Sequence, residues 1–267
     1  MRTVITSRQH PLCKLVRVLH DARGRRKHRL FVVEGGNAVT AALRARWPLQ
    51  RLLLTPDDLE AGWDDLAESA GIETQAVAPE ILEYLSEAQT APEVIALAEL
   101  PMKPAPDWDG PDLLLVLDGI GDPGNVGTLI RSADAAGAGG VVLTENSADA
   151  FGPKVVRASA GSLFSLPPLQ WEEHRPEVVS ERLRARDIPI VTAVAHGGED
   201  CFSYAWPRRC ALVLGHETRG VSPIFAATAT SGVTIPIFGR AESLNVAAAG
   251  AVLLYAWRSR FNRVSDQ

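Results

Sequence analysis

The chain has 267 residues, of which 46% are hydrophobic and 22% are charged, a balance typical of a soluble globular protein with one large or two ordinary domains. No run approaches the roughly 18 apolar residues of a membrane span, and the first residues lack the apolar core of a signal peptide. Three cysteines without CxxC spacing predict neither a disulfide framework nor a zinc site. We therefore expect a cytoplasmic protein without a bound metal and without a membrane partner.

The net charge of −5 is distributed unevenly along the chain. Residues 1–30 contain nine Lys and Arg and one Asp, whereas the rest of the chain contains 18 basic and 31 acidic residues. A basic arm on an acidic body favours docking on a polyanion, and the alternative is a merely solvated helix face. The residues expected to contact such a polyanion are Arg8, Lys14, Arg23, Arg25, Arg26 and Lys27.

The first hundred residues predict a small α/β domain. Apolar residues from Leu12 to Leu19 recur at helical spacing, which predicts an amphipathic basic helix over residues 11–22 with its charges facing outward. Apolar runs and helical patterns then alternate up to residue 100. The predicted strands are 30–33, 52–54, 74–77 and 94–98, and the predicted helices are 37–46 and 59–70.

Four prolines in residues 101–111 predict a linker between two domains. Beyond it, fully apolar strands alternate with helices over residues 112–267, which is typical of a parallel sheet covered on both faces. The predicted strands are 113–117, 141–144, 190–194, 211–214 and a short run ending at Pro236. The predicted helices are 126–136, 153–160, 176–186 and one that Ser243-Leu-Asn245 opens and that runs towards Arg258.

Three polar loops follow strands of this second domain, at the edge where open α/β sheets bind ligands. They are Asp118–Gly127, Gly215–Ser222 and the loop that leads through Gly239 to Asn245. Their glycines let a ligand approach the backbone closely. Ser243 and Asn245 together exceed what one helix cap requires, which leaves one of them for chemistry.

The first loop also matches GxGxxG from Gly119 to Gly124, with Glu145 about twenty residues further on, as in nicotinamide-binding Rossmann folds. However, Pro123 and Asn125 are expected to delay the helix start beyond the glycines, away from a pyrophosphate. The match also leaves the other two loops unexplained. A Rossmann oxidoreductase is therefore kept only as a distant alternative.

Together the three loops resemble the three motifs of the SpoU (TrmH-like) family of RNA ribose 2′-O-methyltransferases, within the SPOUT superfamily. The matching segments are Asp122–Asp134, Leu214–Gly220, Ile235–Gly239 and Ser243–Val246. The resemblance covers about residues 112–260. Ile5–Lys14 and Phe31–Gly35 are in addition similar to the N-terminal, ribosomal-protein-like substrate-binding domain of members that act on ribosomal RNA.

The resemblance implies an α/β fold: a C-terminal SPOUT methyltransferase domain with a parallel sheet and a deep trefoil knot, behind a small N-terminal substrate-binding domain. It also implies a homodimer that binds S-adenosyl-L-methionine in the knot. The cofactor-binding residues that it implies are Leu214, Gly215, Ile235, Ile237, Gly239 and Leu244. The catalytic residues that it implies are Asn125, Arg131, Glu217, Ser243 and Asn245.

The chemistry of such a reaction can be compared with these residue types. A ribose hydroxyl must lose its proton as it attacks the methyl group, so the site needs a proton acceptor and a group that holds the adjacent phosphate. Arg131 suits the phosphate, reached across the dimer; family mechanisms propose it as the base, but a guanidinium with a pKa above about 12 is a poor acceptor. Glu217 either orients Arg131 or accepts the proton. Asn125, Ser243 and Asn245 are alternatively only helix caps.

We therefore expect a methyltransferase that uses S-adenosylmethionine to modify a ribose 2′-hydroxyl, in 23S ribosomal RNA because of the separate N-terminal domain. A tRNA methyltransferase and a non-catalytic RNA-binding member are the alternatives. The second of these is supported only by His216 and Thr218, which replace a small polar residue and a glycine that are usual in the second motif.

Overall fold

The computed structural model describes residues 3–101, 108, 110, 112–169 and 174–261. Most of the stretch predicted as a linker, residues 101–111, lies outside the described residues. The chain forms two compact units: one contains the described residues of Met1–Pro104 and Phe151–Ser165, the other those of Ala105–Ala150 and Leu166–Gln267. The second domain predicted over residues 112–267 thus contains a segment, 151–165, that packs with the first unit.

The first unit has a four-stranded mixed sheet with the strand order β1-β4-β2-β3. Strand β4 is antiparallel to both of its neighbours, and β2 is parallel to β3. The elements of this unit before the linker are α1 (Pro11–Leu19), α2 (Ala22–His28), β1 (Leu30–Glu34), α3 (Gly36–Arg44), β2 (Leu49–Leu54), α4 (Pro56–Asp58), α5 (Asp64–Ser69), β3 (Glu73–Ala76), α6 (Pro79–Leu85) and β4 (Val94–Glu99). All four predicted strands are present, and α6 was not predicted.

The predicted basic helix over residues 11–22 is two helices, because the chain turns between Leu19 and Ala22. The side chain of Asp21 accepts a hydrogen bond from the backbone of Arg23 and caps α2. Helix α1 is part of the core: Leu12, Cys13, Val16 and Leu19 are buried against β1 and α6. The basic arm is therefore a folded component of the first unit and not an appendage.

Arg25 does not face outward as the charge pattern predicted. Its side chain is 4% exposed, and its Nη1 donates to the carbonyl oxygens of Leu19 at 2.9 Å and His20 at 2.8 Å. These carbonyls end α1 and lack partners within that helix, so Arg25 closes the helix end. The other residues predicted to contact RNA, namely Arg8, Lys14, Arg23, Arg26 and Lys27, are exposed.

Two short helices from further along the chain complete the first unit. They are α8 (Pro153–Ala158) and α9 (Ser162–Ser165). The ring of Phe31 on β1 lies 5.1 Å from that of Phe151 and 6.3 Å from that of Phe164, measured between centroids. Arg157 adds an ion pair at 3.0 Å with Glu34, whose side chain is 1% exposed. A buried aromatic cluster and an ion pair with a buried carboxylate therefore hold this segment in place.

The second unit is built on a six-stranded sheet with the order β6-β5-β9-β7-β10-β8, and every pair of neighbours is parallel. Its elements are β5 (Leu113–Asp118), α7 (Pro123–Ala135), β6 (Gly140–Leu143), α10 (Pro176–Arg184), β7 (Ile190–Ala193), β8 (Glu199–Asp200), β9 (Cys210–Gly215), α11 (Pro223–Thr228), β10 (Ser231–Thr234) and α12 (Val246–Phe261). The predicted parallel sheet is confirmed, whereas β8 and α11 were not predicted.

Helices cover the sheet on both faces. One core contains Val116 and Val213 with residues of α10 and α11, and α7 and α12 pack together over β9. Gly250 of α12 permits this close packing, because a Cβ there would lie 2.2 Å from Leu129 of α7. Helix α7 begins three residues earlier than predicted: Pro123 occupies its first turn, where the missing N–H costs nothing, and Asp122 caps it.

The three thiols are free and buried, and burial raises the pKa of Cys210 to about 12. Among the described residues, none of the helices combines the length and hydrophobicity needed to cross a bilayer.

The ion pair between the buried carboxylate of Glu34 and Arg157 should contribute more to stability than an exposed ion pair. Arg157→Ala leaves the Glu34 carboxylate with the hydroxyl of Ser86 and the N–H of Glu87 as hydrogen-bond donors. We expect a loss of about 1–3 kcal/mol in the free energy of unfolding, measured by urea denaturation. The control is Arg51→Ala, which removes an exposed pair with Glu73 and should cost about 0–1 kcal/mol. Equal losses of stability in the two variants would contradict a special role of the Glu34–Arg157 ion pair.

Candidate active site

The three polar loops all leave the carboxyl ends of parallel strands in the second unit. The first follows β5, the second follows β9, which pairs with β5, and the third follows β10. Carboxyl ends of parallel strands meet at one edge of a sheet, so the loops gather there. The sheet therefore brings together polar residues that are more than one hundred positions apart in the sequence.

Asp118, the last residue of β5, fixes the first two loops to each other. It is 5% exposed, and its carboxylate accepts from the hydroxyl of Thr144 at 2.9 Å and from the backbone N–H of Ser222 at 2.5 Å. Thr144 in turn accepts from the backbone of Gly119 at 3.1 Å. Both ends of the second loop are thus held, because its start continues β9 and its end is tied to β5.

The second loop is a tight turn that only glycine permits at its base. The backbone N–H of Gly220 donates to the carbonyl of His216 at 2.8 Å, which folds the loop back on itself. A Cβ on Gly215 would lie 2.2 Å from backbone atoms of Gly220 and Val221, closer than nonbonded atoms can approach. The Nδ1 atom of His216 accepts from the backbone N–H of Thr218 at 3.1 Å, so the side chain of His216 stabilises the turn.

Side chains from all three loops form one hydrogen-bonded chain. The amide of Asn245 donates to Oδ1 of Asn125 at 3.1 Å, and the amide of Asn125 donates to Oε1 of Glu217 at 2.8 Å. The Oδ1 atom of Asn245 accepts from the backbone N–H groups of Ala247 at 2.9 Å and Ala248 at 3.4 Å. Asn245 thus caps α12 while it orients Asn125, which orients Glu217.

These hydrogen bonds show whether Asn125 is only a helix cap or is available for another contact. The cap of α7 is Asp122, whose carboxylate accepts from the backbone N–H of Asn125 at 2.8 Å. Asn125 therefore lies inside the first turn of the helix, and its side chain is available for the bond to Glu217. The alternative that Asn125 is only a helix cap is wrong. Asn245 caps α12 through its amide oxygen, and its amide nitrogen in addition donates to Asn125.

A cleft opens between the second and third loops and encloses about 770 Å³ of empty space, part of it open to solvent. Its apolar walls come from β9, from the third loop and from α12, and its polar groups include the carboxylates of Glu217 and Glu242. The apolar lining includes Leu214, Val233, Ile235, Ile237, Leu244, Val246 and Leu253.

The structure brings most of the predicted site residues to this cleft. Five of the six residues predicted to bind the cofactor line it, and the sixth, Gly239, lines an adjoining hollow. Glu217 and Ser243 line the cleft as well, and the hydroxyl of Ser243 makes no hydrogen bond to any described residue. Arg131 stands apart: it lies on the exposed side of α7, outside the lining, without a polar partner among the described residues.

Sequence reasoning missed several residues of the cleft. Glu242, Val246 and Leu253 line it, and none was predicted there. Val246 and Leu253 belong to α12, whose apolar sequence indicates a buried helix. Which face of α12 lines the cleft could be assigned only from the packing. Glu242 directly precedes Ser243, so the sequence placed it in the third loop. The sequence could not show that Glu242 lines the cleft.

Comparisons with known proteins agree with this site. Residues 112–255 match the family model of the SpoU rRNA Methylase family, and residues 10–96 match that of the MRM3-like substrate binding domain. The first match contains all three loops. This match favours the SpoU interpretation over a nicotinamide-binding fold. The expected delay of the helix start, which was one argument against that fold, is wrong, because α7 begins at Pro123, before the last glycine of the GxGxxG match.

Individual relatives extend over nearly the whole chain. The 23S rRNA (uridine(2479)-2′-O)-methyltransferase of Streptomyces viridochromogenes is 35% identical over 261 residues, which cover 94% of this chain and 90% of the relative. The 23S rRNA (guanosine(2553)-2′-O)-methyltransferase RlmP of Bacillus subtilis is 31% identical, with coverages of 90% and 93%.

A solved structure supports the same assignment. The SpoU methyltransferase AviRb from Streptomyces viridochromogenes, in complex with AdoMet, has a TM-score of 0.86 and 32% identity, over 97% of this chain and all of that one. The family resemblance seen in the sequence is confirmed, and the chain belongs to the SpoU rRNA methylase family, with an MRM3-like substrate-binding domain before the methylase domain.

Proposed function

We propose that this protein is a methyltransferase that uses S-adenosylmethionine to methylate a ribose 2′-hydroxyl in 23S ribosomal RNA. The observation that carries the proposal is the hydrogen-bonded chain from Asn245 through Asn125 to Glu217, which holds a carboxylate in a fixed direction at the rim of a cleft. Relatives that match over nine-tenths of the chain are named 23S rRNA 2′-O-methyltransferases, which supports the substrate.

The residues of the cleft fit the proposed cofactor. Leu214, Ile235 and Leu253 offer an apolar surface for a flat adenine ring, and Gly215 lies in the lining beside them. The carboxylates of Glu217 and Glu242 suit the positive charge of a sulfonium group. When bound, the cofactor would supply an electrophilic methyl group.

The chain's own residues would handle the proton and the orientation of the ribose. The Oε1 atom of Glu217 is engaged by the amide of Asn125, which leaves Oε2 to accept the proton of the 2′-hydroxyl as that oxygen attacks the methyl carbon. The free hydroxyl of Ser243 is placed to hold the ribose. Asn125 keeps the carboxylate in position and does not itself touch the reacting atoms.

Arg131 has a different role. A guanidinium is a poor base at neutral pH, and on its own chain Arg131 lies outside the cleft. We propose that the protein is a homodimer in which Arg131 reaches the cleft of the partner and holds the phosphate next to the reacting ribose. We also propose that the third loop and α12 form part of a trefoil knot and that the protein acts in the cytoplasm, where its RNA substrate is.

The first unit would dock the RNA. Its exposed cations Lys14, Arg23, Arg26 and Lys27 suit phosphate contacts, and the MRM3-like match over residues 10–96 supports a substrate-binding role. Because residues 10–96 match a substrate-binding domain separate from the methylase match, they favour a large structured RNA over a tRNA. The network around Glu217 is complete despite His216 and Thr218, which argues against a member that has lost catalysis.

Methyl transfer and its dependence on Arg131 form the first test. The purified protein should transfer label from tritiated S-adenosylmethionine to 23S ribosomal RNA from cells that lack the gene, with the label at a 2′-oxygen. Arg131→Ala should lower transfer at least about a hundredfold while calorimetry shows nearly unchanged cofactor binding. Binding of RNA without any transfer of label by the wild type would favour the non-catalytic alternative.

Mixed dimers separate a cross-subunit Arg131 from one that acts in its own chain. Arg131→Ala and Glu217→Ala subunits are co-expressed with different tags, so that random pairing yields heterodimers. If Arg131 acts on the partner's cleft, one site of each heterodimer is complete, and activity should recover to about a quarter of the wild type. If Arg131 acts in its own chain, the mixture stays inactive.

Asn245 allows the cap to be separated from the orientation of Asn125. Asn245→Asp keeps an oxygen for the N–H groups of Ala247 and Ala248 but removes the amide that donates to Asn125. We expect near-wild-type stability with methyl transfer lowered about 10-fold or more. The comparison is Asn245→Ala, which should also cost about 1 kcal/mol of stability. Full activity of Asn245→Asp would remove the hydrogen-bonded chain from the mechanism.

The basic surface should control the salt dependence of RNA binding. Deletion of the first residues would destroy the core that α1 helps to form, so the test replaces Arg23, Arg26 and Lys27 together by Gln. We expect weaker binding and a slope of log K against log salt that is less steep by about 2. The control replaces Arg44, Arg46 and Lys154, exposed cations of the same unit, and should leave the slope unchanged if the predicted surface is right.

A further inference from the structure

The third loop exposes one aromatic side chain almost completely. Phe238 is 93% exposed, more than any other large hydrophobic residue described. Its neighbours Ile237 and Gly239 line the cleft or the adjoining hollow, whereas Phe238 lines neither. The ring therefore projects from the rim of the cofactor cleft into solvent.

Its surroundings narrow down what could cover the ring. The next four residues, from Gly239 to Glu242, are exposed and include no large apolar side chain. Arg240 among them forms no ion pair with any described residue. The other exposed apolar residues of the loop, Ile237 and Leu244, both line the cleft. Phe238 is thus a single aromatic ring beside a free cation, without a contiguous apolar patch of its own.

We infer that Phe238 stacks on an unpaired base of the RNA next to the ribose that is methylated. The inference rests on the proposed function, because the ribose must enter at the open side of the cleft and Phe238 is adjacent in sequence to a residue of its wall. Unpaired RNA bases stack on aromatic side chains irrespective of base identity. The guanidinium of Arg240 suits the phosphate of the same nucleotide. Stacking would keep the strand locally unpaired and would present the 2′-hydroxyl to the cleft.

A contact with a second copy of the chain is the rival occupant. In the proposed homodimer, Phe238 would add only about 150–250 Å² to an interface that buries roughly 800 Å² on each partner, so the interface does not require the ring. The polar residues after Phe238 would have to lose water in such an interface without apolar neighbours to compensate. The surface therefore suits a base better than a protein.

The test compares Phe238→Ala with Phe238→Leu and Phe238→Trp. Leu keeps an apolar side chain but cannot stack, whereas Trp stacks at least as well as Phe. We expect Ala and Leu to weaken binding of a 23S ribosomal RNA transcript by roughly 5- to 150-fold at saturating S-adenosylmethionine. Trp should bind within about twofold of the wild type. Cofactor affinity by calorimetry and molar mass by light scattering should stay unchanged in all three.

Other outcomes would overturn the inference. Unchanged RNA affinity of Phe238→Ala would exclude stacking, and so would full binding by Phe238→Leu, which would point to a nonaromatic contact. A molar mass halved by Phe238→Ala would assign the ring to a contact between copies. Failure of the proposed function itself is recognised separately, because the wild type would then transfer no methyl group to the same RNA.

Discussion

The candidate site depends on one hydrogen-bonded chain of three side chains. Asn245 donates to Asn125, and Asn125 donates to Glu217. Three loops that are far apart in the sequence thus hold the Glu217 carboxylate in position. Each asparagine has one amide oxygen and one amide nitrogen, and each of these atoms has a different task. The oxygen of Asn245 completes the helix that covers the cleft. The orientation of Glu217 and the stability of α12 are therefore coupled.

Such a chain forms only if the backbone brings the loops within reach. Gly215 makes this possible in the second loop, since a Cβ there would collide with the backbone of Gly220. Gly250 lets α12 pack against the side chains of Leu129 and Leu214. Asp118 then fixes the distance between the first two loops with a buried carboxylate. The polar network depends on this close packing, and a larger residue at Gly215 would have to displace the backbone of Gly220.

The sequence predicted the parts of this arrangement that depend on local pattern. Apolar runs such as residues 113–117 identified the long buried strands, and polar residues after them identified the site. Local pattern failed where long-range contacts decide. Nothing before the packing was known could show that Arg25 turns inward to the end of α1, or that residues 151–165 join the first unit through Phe31 and Glu34. The late start predicted for α7 had a local cause, because Pro123 was treated as a helix breaker although proline is favoured in a first helical turn.

The distribution of charge around the cleft supports the proposal that two chains together complete the reaction. Glu217 and Glu242 make the cleft acidic, which suits a cationic methyl donor but repels the phosphates of an approaching RNA strand. Cations are needed on the RNA side. Arg240 of the third loop is one of them, whereas Arg131, which we propose holds the phosphate next to the reacting ribose, lies outside its own cleft. If Arg131 comes from the partner subunit, the acidic cleft first binds the cofactor, and the RNA is then held where two chains meet. Assembly of the dimer, and not a residue within the cleft, would then control when the carboxylate of Glu217 meets a ribose.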